Sequence, residues 1–154
     1  MGNILLDTTF LLPSLGFDVK EIQAKDIETL KSASKSNMRL CCSHFSFVEI
    51  FGKLAKKSYT IDQDAVKEGI RSLLESGTYE WITPSAEALS LAFKLRSSGH
   101  VDNIDNILYS VACVSKMLFL TLDMSFKEFL AKKGFDEHII ISLKDLSVMI
   151  KQTT

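Results

Sequence analysis

The sequence has few of the residues that divide a chain into separate units. Its 154 residues include two prolines and seven glycines, so no segment is rich enough in either to serve as a linker. No internal repeat or low-complexity segment is found. We therefore expect one domain over residues 1–154, a length that suits a single buried core.

Long apolar runs are also lacking. Residues 117–122 and 138–142 form two of the longest runs, and both are much shorter than the roughly 20 residues that cross a bilayer. The segment from Met1 to Asp7 has no basic residue ahead of its apolar run, as a secretory signal would have. We therefore expect a cytoplasmic protein with no membrane segment.

Cysteine is scarce, and neither sign of charge dominates. Cys41, Cys42 and Cys113 are odd in number and form no Cys-x-x-Cys pair, which argues against a disulfide framework or a zinc site and favours small buried side chains. The 18 basic and 19 acidic residues give a net charge of −1. Overall basicity therefore cannot attract a nucleic acid, and local lysines and bound metal would have to do so.

Short apolar runs alternate with segments in which apolar residues recur every three or four positions. The runs of strand length cover residues 3–6, 39–43, 79–83, 117–121 and 138–142. The helical patterns cover residues 22–33, 47–55, 65–74, 86–95, 107–112 and 126–130. Pro84 suits a first helical turn and Gly134 a helix end. This alternation predicts a three-layer α/β/α fold with a central parallel sheet of about five strands.

Two aspartates follow predicted strands directly. Asp7 comes after Ile4-Leu5-Leu6, and Asp123 comes after the run 117–122. Because ligands gather at the carboxyl ends of parallel strands, both carboxylates are expected at one edge of the sheet. Aspartate is also a favoured N-cap, so helix capping remains an alternative for each.

Three further acids lie on predicted helices. Glu49 is surrounded by large apolar residues, and it either serves a site or pairs with Lys53 one turn further along. Asp102 and Asp105 are one turn apart at the head of an apolar helix. Either could cap that helix, and both could face a common site.

Asp7, Glu49, Asp105 and Asp123 would repel one another at one sheet edge unless a cation neutralised them. Oxygen ligands favour Mg²⁺ or Mn²⁺ over zinc. The three histidines, His44, His100 and His138, are scattered along the chain, and we interpret each as a structural or surface residue.

Four segments resemble the motifs of the PIN-domain family, and specifically of the VapC-type toxins of toxin–antitoxin pairs. They are Leu5-Leu6-Asp7-Thr8-Thr9, Ser46-Phe47-Val48-Glu49-Ile50, the helix headed by Asp105, and Leu120-Thr121-Leu122-Asp123-Met124-Ser125-Phe126. They occur in the family's order over nearly the whole chain. Asn106 departs from the pattern, because the family usually has a small residue there.

The resemblance implies a metal-dependent endoribonuclease. Asp7, Glu49, Asp105 and Asp123 would be the catalytic residues and bind magnesium or manganese. Thr9, Thr121 and Asp102 would hold those carboxylates in place. It also implies an antitoxin partner and a homodimer.

Lys53, Lys56 and Lys57 follow Glu49 on the same predicted helix. Lys53 and Lys56 are one and two turns from Glu49, where they could contact RNA phosphates. They could equally be solvated surface lysines.

Two other functions stay open at this point. One is a catalytically silent PIN-like module that binds a partner protein or RNA. The other is a Rossmann-like domain in which the acids are helix caps and the ligand is a small phosphorylated molecule. The absence of a Gly-x-Gly-x-x-Gly or P-loop run counts against the latter.

Overall fold

The computed structural model describes residues 2–56 and 61–153. The five strands there are β1 (Asn3–Leu6), β2 (Arg39–Ser43), β3 (Glu80–Ile82), β4 (Leu118–Leu120) and β5 (Ile140–Ile141). The α-helices are α1 (Ala24–Lys35), α2 (Ser46–Ala55), α3 (Gln63–Glu75), α4 (Ala86–Ser97), α5 (Asn103–Val114), α6 (Met124–Lys133) and α7 (Leu143–Thr153). Within the described ranges, no helix has the length and apolar character needed to span a bilayer.

The strands form one parallel sheet in the order β3-β2-β1-β4-β5. The chain builds the sheet outward from β1 to β3 and then returns to add β4 and β5 on the other side of β1. The strand order therefore reverses between β1 and β4, which is where open α/β sheets form their ligand crevice. The predicted α/β fold with a parallel sheet of five strands is confirmed.

Both faces of the sheet are covered. Ile4 and Leu6 of β1 face a core shared with α1, α2, α3 and α7, whereas Leu5 faces a core shared with α4, α5 and α6. All three side chains are fully buried, because alternate residues of a strand point to opposite faces. This burial on both sides explains why the strands are continuous apolar runs.

The predicted apolar faces of two helices are partly wrong. In α2 the fully buried apolar residue is Ile50, while Val48 and Phe51 are exposed. In α4 the exposed apolar residues are Leu89 and Phe93. A helix packed on one side of a sheet buries only a stripe, and the sequence pattern also counts apolar residues beside that stripe.

The helix ends agree with the sequence at one site and differ at another. Gly134 ends α6 in the left-handed conformation, with φ +76°, so the predicted C-cap is confirmed. Pro84 lies outside α4, because the Ser85 side chain accepts a hydrogen bond from the Ala88 amide and is the N-cap. Pro84 therefore directly precedes the N-cap and is not part of the first helical turn.

Helix α7 was absent from the sequence prediction. Its start carries a recognisable signal, since Ser142 and Asp145 exchange hydrogen bonds between side chain and backbone amide in both directions. This reciprocal arrangement is a capping box. Leu146 is fully buried in the core, so α7 covers the sheet next to β5.

A close backbone approach fixes helix α3 against the short turn Leu12–Leu15. A Cβ atom placed on Gly69 would lie 2.6 Å from the backbone oxygen of Ser14. Only glycine allows this distance. The contact holds the segment after β1, which leads into one wall of the cleft described below.

Candidate metal centre at the carboxyl edge of the sheet

The four predicted metal-binding acids all belong to the carboxyl edge of the sheet. Asp7 and Asp123 follow β1 and β4, which are neighbours at the point where the strand order reverses. Glu49 is on α2, which begins just beyond the carboxyl end of β2. Asp105 is in the first turn of α5, which leads back to the amino end of β4 and therefore begins at the carboxyl edge.

Asp7 is held by strand β4 and its continuation. Its amide donates to the Leu120 carbonyl at 3.0 Å, and its Oδ2 accepts a hydrogen bond from the Thr121 hydroxyl at 2.6 Å. Asp7 and Thr121 are both buried. The side chain of Asp7 does not cap the turn that follows it, so the capping alternative fails for this residue.

Asp123 does cap a helix. Its Oδ1 accepts hydrogen bonds from the Phe126 amide at 3.0 Å and from the Ser125 hydroxyl. Its own amide donates to the Thr121 hydroxyl oxygen at 3.1 Å. Among the described residues no hydrogen bond reaches Oδ2 of Asp123, so one oxygen is free to act as a ligand.

Glu49 is placed by the packing of α2. Ile50 is fully buried in the core, and the Phe47 ring stacks on Trp81 of β3 with 5.3 Å between ring centroids. The Glu49 carboxylate forms an ion pair with Lys53, whose Nζ lies 2.6 Å from Oε1. The pairing considered from the sequence is therefore present, and Glu49 also faces the other acids.

The two acids at the start of α5 have different positions. Asp102 is exposed, and its Oδ1 accepts hydrogen bonds from the amides of Ile104 at 2.9 Å and Asp105 at 3.2 Å. Asp102 is thus the N-cap of α5. Asp105 is left without a capping role and is more buried.

Asp105 is the residue on which the negative charges of the other predicted ligands act. Its pKa is raised to about 8, chiefly by burial and then by the negative charges of Asp7, Asp102, Glu49 and Asp123, in that order. All three other predicted ligands are therefore near enough to act on this carboxyl group. Without a cation, Asp105 holds its proton at neutral pH.

The pKa of Asp7 is also raised, to about 6, chiefly by burial. The hydrogen bond from Thr121 opposes this shift, the charge of Glu49 adds to it, and the charge of Lys53 lowers it slightly. Asp7 therefore binds a proton more readily than an exposed aspartate does.

Asp7 and Asp123 open into a cleft of about 590 Å³, whereas Glu49 and Asp105 are not among the residues that line it. Thr9, Lys53 and Lys56 also line the cleft. Among the described residues, Thr9 donates no hydrogen bond to a carboxylate, unlike Thr121. Lys57 is outside the described residues.

The opposite wall of the cleft was missed from the sequence. It is formed by residues 17–21, including Phe17, Val19 and Lys20. This segment follows Gly16, whose φ of +79° turns the chain, and it has no regular secondary structure. A segment without regular secondary structure has no apolar periodicity that could reveal it. Its position beside the acids depends on the assembled sheet.

The donor set fits a hard divalent cation. Among the described residues, the lining of the cleft offers carboxylate and hydroxyl oxygens and no cysteine or histidine, which favours Mg²⁺ or Mn²⁺. The raised pKa values of Asp7 and Asp105 show that burial and crowding penalise their charge. A bound cation would relieve that penalty.

Among the described residues, one group of acids and histidine has its ligand atoms within 4.8 Å of one another, namely Asp136, Glu137 and His138. It lies at the amino end of β5, away from the cleft, and Asp136 caps the turn Glu137–Ile139. No three of the four predicted ligands, Asp7, Glu49, Asp105 and Asp123, form such a group among the described residues.

The histidines are structural or surface residues, as expected. His44 and His138 are exposed, while the His100 ring packs on Phe126 with 4.4 Å between centroids. Contacts with His100 also explain why Asn106 stands where the PIN-domain family usually has a small residue. Asn106 is buried and exchanges hydrogen bonds of 2.9 and 3.0 Å with the His100 ring and carbonyl, which anchors the segment leading into α5.

Neither a family model nor a curated protein matches the sequence. Solved structures do match the fold. A chain of VapBC2 from Rickettsia felis, in a structure bound to a DNA fragment from its promoter, has a TM-score of 0.67 and 16% identity, over 91% of this chain and 98% of that one. VapBC-1 from nontypeable Haemophilus influenzae has a TM-score of 0.60 and 14% identity, over 92% and 98%.

A toxin–antitoxin complex from Klebsiella pneumoniae matches with a TM-score of 0.57 and 14% identity, over 91% of this chain and 97% of that chain. The chain therefore shares its fold with components of toxin–antitoxin structures along nearly its whole length. The resemblance to the PIN-domain family is confirmed at the level of the fold.

Proposed function

We propose that this chain is a metal-dependent endoribonuclease and the toxin of a cytoplasmic toxin–antitoxin pair. The observation that carries the proposal is that the charges of Asp7, Glu49 and Asp123 all act on Asp105, near the point where the strand order reverses. The reaction would be hydrolysis of an RNA phosphodiester, in which water adds to phosphorus and one P–O bond breaks.

The four carboxylates would hold one or two Mg²⁺ or Mn²⁺ ions. When bound, such an ion lowers the pKa of water and polarises the phosphate. Thr121 keeps Asp7 in place through its hydroxyl, and Asp102 orients the first turn of α5 through the Asp105 amide. Asp105 has to release its proton before it can bind a cation.

Lys53 and Lys56 line the cleft beside the acids. Their positive charges would attract the RNA backbone, because phosphate contacts supply most of the non-specific affinity for nucleic acids. Thr9, which lines the cleft, would support a metal-bound water or the neighbouring Asp7.

An antitoxin is the expected protein partner, since structures with this fold carry the names of toxin–antitoxin complexes. We also propose a homodimer. Leu89 and Phe93 on α4 and Val101 before α5 are exposed apolar side chains that a second copy could cover.

A catalytically silent binding module is the second candidate. An apolar groove of about 440 Å³ between α2 and α3, lined by Leu54, Ile61, Val66 and Ile70, favours it. Partner binding there and catalysis at the acids are compatible.

One experiment separates the enzyme from the module. Mn²⁺ binding is measured by calorimetry, and RNA cleavage is measured with Mg²⁺ or Mn²⁺, for the wild type, Asp7→Asn and Asp123→Asn. We expect both variants to fold and to lose both Mn²⁺ binding and RNA cleavage. Metal binding and RNA cleavage that persist at wild-type levels in both variants would refute the enzyme assignment.

A further inference from the structure

Lys53 differs from the other lysines of the cleft. It is half-buried, and its Nζ lies 2.6 Å from Oε1 of Glu49. Lys20 and Lys56 line the same cleft but are exposed, and no ion pair joins either of them to another described residue.

The ammonium group of Lys53 therefore occupies a place that a divalent cation would also use. A cation that binds Glu49 would share this carboxylate with the ammonium group of Lys53. Two positive charges so close together repel each other strongly. The ammonium group of lysine is attached through a flexible four-carbon chain, so it can move away from Glu49 while α2 stays fixed.

We propose that Lys53 is a built-in counter-cation of the metal centre. It neutralises Glu49 while the metal is absent and leaves Glu49 when a metal binds, so that its ammonium group becomes available to the substrate phosphate. Lys53 thus weakens metal affinity and couples metal binding to the release of a phosphate-binding group. This inference rests on the proposed metal centre.

The test is a calorimetric Mn²⁺ titration of the full chain at constant ionic strength. Lys53→Met should bind Mn²⁺ about three- to tenfold more tightly than the wild type, because it removes both the competing ion pair and the repulsion. Lys20→Met removes the same charge from the opposite wall and should change the affinity less than about twofold. Lys53→Arg keeps the charge and should stay within about twofold of the wild type.

Thermal unfolding supplies a second readout that does not depend on catalysis. In the presence of a chelator, Lys53→Met should melt about 1–3 °C below Lys20→Met, because only the former loses the counter-cation of the acids. On addition of Mn²⁺, the increase in melting temperature should be larger for Lys53→Met than for Lys20→Met.

The outcomes distinguish this inference from the function it rests on. If the wild type binds Mn²⁺ and Lys53→Met binds it no more tightly than Lys20→Met does, the counter-cation role is wrong and the metal centre stands. If neither the wild type nor any variant binds Mn²⁺, the metal centre and the counter-cation role both fail.

Discussion

The hydroxyl of Thr121 connects two acids of the candidate centre. It donates to Oδ2 of Asp7 at 2.6 Å and accepts from the Asp123 amide at 3.1 Å. Thr121→Val keeps the shape of the side chain but removes both bonds. We expect the free energy of unfolding to fall by about 1–3 kcal/mol, because a buried carboxylate loses its partner. Urea denaturation at pH 7 measures this loss.

The control is Thr121→Ser, which keeps the hydroxyl and should lose less stability than Thr121→Val. The pH gives a second check. Because the pKa of Asp7 is raised to about 6, its carboxyl is mostly protonated at pH 5, and the cost of Thr121→Val should be smaller there than at pH 7. An equal loss at both pH values would contradict the role assigned to the hydroxyl.

Asp105 makes the metal-free protein sensitive to pH. Its pKa is 3.8 in an ordinary setting and about 8 in the folded protein. Between these values the folded state holds a proton that the unfolded chain has lost, so the free energy of unfolding decreases as the pH rises. Asp105→Asn removes this titration. In a chelator, the variant should be about 1–3 kcal/mol more stable than the wild type at pH 8, with a smaller difference at pH 5.

Asp102→Asn is the matched control. Asparagine is an equally good N-cap, and the charge of the exposed Asp102 raises the pKa of Asp105 less than burial does, so the variant should gain clearly less stability at pH 8 than Asp105→Asn does. A similar gain at pH 8 in Asp102→Asn and Asp105→Asn would show that general charge reduction, and not the buried site, is responsible.

At the level of elements, the close contact between α3 and the turn Leu12–Leu15 holds the segment that leads to the cleft, and a substitution at Gly69 tests this contact. Gly69→Ala would place a Cβ 2.6 Å from the Ser14 oxygen, and backbone has to shift to admit it. We expect a loss of about 1–3 kcal/mol in the free energy of unfolding, as for other overpacked sites. Chemical denaturation gives the value.

Gly52→Ala provides the comparison within another helix. Gly52 lies inside α2, and a Cβ there meets no atom within 4 Å. Because alanine favours the helix over glycine, this variant should gain about 0.5–1 kcal/mol. The two substitutions should thus have opposite signs, and the same sign for both would contradict the packing described for Gly69.

For the whole molecule, the balanced charge bears on the RNA binding that we propose. The net charge is −1, so affinity has to come from a few lysines and the metal. With the inactive Asp7→Asn variant, the slope of log K for a single-stranded RNA against log salt should be only about −1.4 to −2.1, as two or three phosphate contacts give. Adding Lys56→Ala should reduce the slope by about 0.7. An unchanged slope would remove Lys56 from the RNA-binding surface.

Much of the architecture follows from the amino-acid sequence alone. Strands buried on both faces have to be continuous apolar runs, so β1 and β2 were predicted with the bounds that the structure has. The acids that follow such strands are necessarily at the carboxyl edge. Asp7 and Asp123 could therefore be assigned to one edge before any coordinates were known.

The tertiary structure alone decided the roles within the site. The residue pattern allowed either Asp102 or Asp105 to cap α5, and only the resemblance favoured Asp105 as a ligand. The geometry of the first turn of α5 makes Asp102 the cap and leaves Asp105 under the charge of the other acids. The wall at residues 17–21 and the partners of Thr121 depend on contacts between distant parts of the chain. Periodicity reports which face of an element is apolar, whereas distances between elements are set by the order of the strands and the packing of the core.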